Sequence, residues 1–109
     1  MTNDICDGPL GDVGTRLMFE DDRIKIWEMA LEPGEETEPH RHEHDYYLVI
    51  LEGDRLAGVP HVTSTGPSAE YIDAPIEPDM IIRMDKGGTE LARNIGKKFC
   101  RELIIELKE

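Results

Sequence analysis

No segment of this chain carries an apolar stripe at helical spacing over enough length for a firm helix. What recurs is a short alternating or apolar run closed by a turn signal. Such a chain can bury its apolar side chains only as sheets packed together or closed into a barrel. "RIKIWEMALEPG" reads as a strand from Arg23, ended by Pro33-Gly34, with Trp27 and Met29 on one face as core. "RLAGVPHV" reads as a partner strand that Pro60 confines to an edge or an end. "AEYIDAPI" is a weak strand, "DMIIRM" a stronger one, and "TELARNIG" either a helical turn or a strand. Gly96-Lys97 makes a hairpin turn into "KFCRELIIELKE". There Phe99, Leu103, Ile105 and Leu107 share one face at period two, and Glu102, Glu106 and Lys108 share the other. Cys100 falls with the glutamates, and nothing there proposes it as a nucleophile. The spacing of turns predicts about eight short strands and an all-β sandwich or barrel.

The length, 109 residues, fits one domain. Residues 1–20 are expected to form an N-terminal arm, ordered in part, and 21–109 the single domain. With 24 acidic against 12 basic side chains, the formal charge is −12, which disfavours binding to nucleic acid or to an anionic membrane. No apolar run approaches the roughly 20 residues of a membrane-spanning helix, and "MTNDICDGPL" has no signal-peptide pattern. The two cysteines, Cys6 and Cys100, do not make a disulfide framework. The expectation is a cytoplasmic protein with reduced thiols.

One stretch carries chemistry. In "HRHEHDYYLVILEG" (40–53), His40, His42 and His44 recur at every second position, and Tyr46, Leu48 and Ile50 continue the same parity. Read as one strand from about His40 to Glu52, its even face begins with imidazoles and ends apolar. Turned inward, two imidazoles at i and i+2 present nitrogens to a common point, as metal ligands do. The alternative is a group of surface histidines at a strand mouth. His44 reads as a second-layer or substrate-facing residue or as a solvated rim histidine, Tyr47 as packing on the other face, and His61 as a surface residue without a partner.

The spacing resembles the first motif of the cupin superfamily: glycine, five residues, His-x-His, three or four residues, glutamate, six residues, glycine. Here Gly34, "EETEP", His40-Arg41-His42 and Gly53 fit, while Tyr46 stands where the glutamate belongs. The second motif, Pro-x-Gly-x-x-His-x-x-x-Asn, is similar to "DKGGTELARN", in which Gly87 and Asn94 keep their places and Glu90 replaces the histidine. The resemblance covers roughly residues 23–107. It implies a double-stranded β-helix (jelly-roll) barrel with one divalent transition metal (Fe, Mn, Ni or Zn) in its lumen. His40 and His42 match the first two ligands, and Glu90 completes a 2-His-1-carboxylate set. A register shifted by one would put Leu91 there instead. Tyr46 is a candidate weak ligand and the candidate catalytic acid/base, with simple barrel filling as its alternative.

The resemblance also implies a homodimer formed through sheet or arm exchange. "HRHEHDYYLV" together with "RNIGKKFCRELIIELK" looks like the small single-domain cupins associated with β-alanine or related organic-acid catabolism. The function expected is therefore an enzyme, a metal-dependent dioxygenase or lyase, acting on a small polar or carboxylate metabolite. Oxygenase, lyase and isomerase chemistry stay open. The alternatives are a cupin that binds or senses a ligand or metal without turnover, and an empty oligomeric scaffold.

Overall fold

The computed structural model describes residues 5–108. Among them, nine strands and one 3-10 turn make up the regular structure. The strands are β1 (Arg16–Glu20), β2 (Ile24–Leu31), β3 (His40–Arg41), β4 (Tyr46–Glu52), β5 (Arg55–Pro60), β6 (Ile72–Pro75), β7 (Ile81–Met84), β8 (Thr89–Asn94) and β9 (Cys100–Leu107). One sheet has the order β1-β2-β9-β4-β7 and the other β3-β8-β5-β6, with every pairing antiparallel. The all-β expectation holds, and "TELARN" is a strand. The 3-10 turn, Gly66–Ala69, falls in the "TSTGPS" loop. No helix among the described residues is long and apolar enough to cross a membrane.

The histidine segment is not one strand. β3 ends at Arg41 and pairs with β8 in the small sheet, whereas β4 starts at Tyr46 between β9 and β7 in the large one. A chain that passes from one packed sheet to the other must bend at the corner, and the bend falls at His44. Asp45 secures it: its carboxylate accepts from the Lys86 backbone N–H at 2.9 Å, and its carbonyl accepts from Leu107 N–H at 2.9 Å.

The last strand alternates as the sequence suggests, but the face turned inward carries the glutamates. Cys100, Glu102, Ile104 and Glu106 are buried, while Leu103, Ile105 and Leu107 are only half-buried. Register explains this. Residues directly opposite across antiparallel strands share a face. Glu102 lies opposite Met29 on β2 and Ile50 on β4, and Ile104 lies opposite Trp27 and Leu48. Trp27, Met29, Leu31, Tyr46 and Ile50 are all buried, so their partners on β9 must face in with them. Glu106 is accommodated because the Trp27 indole Nε1–H donates to its Oε1 at 2.9 Å. Both thiols are free, and burial pushes that of Cys100 up to about 12.

Within the N-terminal stretch, Cys6 bridges to His61 and Gly11 N–H donates to the Pro39 carbonyl at 2.7 Å. Val13 joins the core between the sheets, and β1 pairs with β2 as an edge strand. His61 is buried rather than on the surface. Its ring bonds Thr63 Oγ1 at 2.7 Å and the Gly8 carbonyl at 2.9 Å, partners that the spacing alone did not reveal.

Asn94, fully buried, ties three segments together. Its Nδ2 donates to the carbonyls of Leu31 and Lys98, each at 2.9 Å, and its Oδ1 accepts from Gly96 N–H at 3.0 Å. Asn94→Ala strands these buried backbone groups and is expected to cost about 2–4 kcal/mol. Denaturant unfolding checks this, the midpoint falling with the slope unchanged.

Candidate metal centre

The centre is assembled by one pairing. Residues 34–42 run antiparallel to 87–94: Gly34 N–H donates to the Asn94 carbonyl, Thr37 N–H to Ala92, and His42 N–H to Gly88, at 2.8–2.9 Å. Gly34 sits at φ +90°, the left-handed region the Pro33-Gly34 turn needs. In this register His40 is the direct cross-strand partner of Glu90. Side chains so placed have Cβ atoms about 5 Å apart. His42 then reaches the same point from the corner: its Nε2 lies 3.5 Å from Glu90 Oε2. His40, His42 and Glu90 each bring one donor atom into a group spanning no more than 4.8 Å. Glu90 lines the cavity between the sheets; Leu91, buried, is not among the residues that line it. On the neighbouring strand Gly58 leaves room for the carboxylate, since a Cβ there would stand 3.1 Å from Glu90 Oε1.

The surroundings prepare both histidines for a cation. His40 Nδ1 lies 2.8 Å from the Glu38 carbonyl, which fixes the proton there and leaves Nε2 as the free donor. Burial, and then the neighbouring His42, lower the His40 pKa to about 4 against the smaller opposing pull of the Glu38 carbonyl and Glu90. His40 is thus neutral near pH 7, as a metal ligand must be. The two rings meet edge to face at 4.8 Å. His42 turns its Nε2 to the Glu90 carboxylate and leaves a buried Nδ1 without a hydrogen-bond partner. Two imidazoles and one carboxylate fit a divalent transition metal with open positions.

Tyr46 lies in the cavity wall, its ring stacked flat on His42 at 4.0 Å and 13°. The contact holds the imidazole plane. Burial, and the charges of Glu90, Glu102 and Glu106, push the phenol pKa well above its usual value, so Tyr46 keeps its proton in this environment. His44, half-exposed at the bend, is not among the cavity-lining residues.

Sequence reasoning missed Glu102. It lines the cavity, is 2% exposed, and has an Oε1 without any hydrogen-bond partner. Burial, with Glu90 adding repulsion, pushes its pKa up to about 8. The signal was available in the pairing of its strand with "IWEMAL" and "YYLVIL", had register been imposed on all three together.

Sequence comparison finds no matching family model and no matching curated protein. Solved structures are similar. A cupin domain from Bordetella pertussis Tohama I shares 22% identity, with 85% of this chain and 90% of that one covered at a TM-score of 0.73. A cupin superfamily protein from Desulfitobacterium hafniense DCB-2 shares 17%, with 92% and 84% covered at 0.58. A cupin-2 domain containing protein from Shewanella frigidimarina shares 18%, with 85% and 78% covered at 0.54.

Glu102 gives stability a pH dependence in chelator-treated protein. A carboxyl whose folded pKa exceeds its unfolded value holds its proton in the native state, so stability is full below the unfolded value of 4.5 and falls as pH rises toward 8. At about 1.4 kcal/mol per unit, the loss is on the order of 3–5 kcal/mol. Glu102→Gln is expected to remove it. Wild type and variant should match near pH 4.5 and diverge by pH 8 in denaturant unfolding, the variant being the more stable. With two antiparallel sheets enclosing a His-His-Glu cluster, this chain has the fold of the cupin jelly-roll proteins.

Proposed function

We propose that this chain is a metal-dependent enzyme of the cupin type, working on a small polar or carboxylate metabolite in its lumen. The observation that carries the reading is the convergence of His40, His42 and Glu90 from two paired segments onto one point. Those residues would hold one Fe, Mn, Ni or Zn ion, which supplies Lewis-acid or redox chemistry at a bound substrate oxygen. The cavity, about 180 Å³, suits a metabolite smaller than the drug-sized ligands of pockets of about 300–1,000 Å³. Tyr46 orients His42 and, keeping its proton, would donate a hydrogen bond to the substrate. Glu102, near 8, can exchange a proton close to neutral pH, where acid–base groups are most effective.

A second reading, a cupin that binds a ligand without turnover, is favoured by the retained Tyr46 proton. It is separated from the first by incubating reconstituted protein with candidate acids and looking for product. A homodimer in the cytoplasm is also proposed. Its support is an apolar row on the outer face of the large sheet (Ile26, Tyr47, Val49, Leu103, Ile105), next to the exposed Phe19 of β1. Light scattering should then give a dimer mass, with Phe19→Lys shifting it toward the monomer.

Elemental analysis of protein purified without chelator or imidazole tests the metal. One transition metal per chain is expected, lost in His42→Ala and Glu90→Ala and kept in His44→Ala, with thermal unfolding showing that each variant folds. Unchanged metal content in the first two would remove the proposal.

A further inference from the structure

The cavity has a polar end and an apolar body. Away from the histidines its walls are Leu48, Leu56, Ile76 and Ile82, and it opens past Ile72 and Met84. Those two residues line the lumen and are also 60% and 38% exposed, so the mouth lies between β6 and β7, each the edge strand of its sheet. Apolar side chains at an open mouth favour entry of an aliphatic group.

The wall offers no fixed positive charge. Among the described residues that line the cavity none is lysine or arginine, while Glu90 and Glu102 both face it. One anionic group on a ligand can be met by a metal on His40, His42 and Glu90. A second would lie in aliphatic surroundings beside Glu102, with no counter-charge. Burying an unpaired charge in that way costs several kcal/mol.

We infer that the lumen takes a ligand with one metal-binding head, such as a single carboxylate, on an uncharged aliphatic body, and rejects ligands with a second anionic group. This rests on the metal reading above and narrows its substrate class. Glu102, buried and with an unpartnered oxygen, is the specificity-determining residue. Its position opposite Met29 and Ile50, in the middle of the large sheet, puts a carboxyl on the apolar wall where a dicarboxylate would need a cation.

The test uses protein reconstituted with Co(II), whose visible absorption reports ligand binding at the metal. Pentanoate and glutarate, equal in chain length, are titrated at pH 7. Pentanoate should perturb the spectrum and bind about tenfold or more tighter than glutarate, a gap of about 1.4 kcal/mol or more. Ile72→Arg, a change at the exposed rim, should raise the glutarate affinity and narrow the gap to about threefold or less by supplying the missing counter-charge. Glutarate binding as tightly as pentanoate to wild type overturns the inference, as does a spectrum that neither acid changes. A protein that takes up no Co(II) overturns the metal reading itself, and this inference with it.

Discussion

The antiparallel pairing of residues 34–42 with 87–94 is the constraint on which the rest depends. It joins the two segments that carry His40, His42 and Glu90, and it does so through backbone groups, so the register is independent of those side chains. Once Gly34 meets Asn94 and His42 meets Gly88, His40 must stand opposite Glu90. A shift of one residue would turn Glu90 away and bring Leu91 to the lumen, since strand side chains alternate between faces. Asn94 anchors that register from inside, fully buried and bonded to three backbone groups. The structural residue and the candidate ligand thus sit on one short strand, and damage to either is felt by the other.

The large sheet imposes a second constraint on the same cavity. β9 lies between β2 and β4, and the buried apolar residues of those two strands determine which of its faces looks inward. Two glutamates are drawn inside as a result. They differ in consequence: Glu106 is answered by the Trp27 indole, whereas Glu102 has one oxygen without a partner and faces the lumen. A buried acid without a partner lowers stability, and proteins keep such groups where a ligand makes use of them.

Much of this was legible in the sequence. Alternation and turn signals predicted an all-β chain, and parity grouped His40, His42 and Tyr46, which line the cavity, with His44, which does not. Three things were not legible for definite physical reasons. The break at His42–Asp45 comes from the transfer of the chain between sheets, and no local pattern in "HRHEHDYY" records which sheet each half joins. The inward face of β9 was hidden because its outer side is also apolar, so alternation within that strand gives the wrong impression and only the register with its neighbours corrects it. His61 was missed likewise, because its partners, Gly8 and Thr63, lie respectively far away in sequence and in a loop.

The central claim is that His40, His42 and Glu90 share one cation inside the barrel. The most direct measurement is anomalous diffraction from crystals grown with the metal that the purified protein carries, collected on both sides of that element's absorption edge. One peak within coordination distance of the two imidazoles and the Glu90 carboxylate is the expected result. A peak confined to surface carboxylates, or imidazoles 40 and 42 turned away from Glu90 with no peak between them, would contradict it.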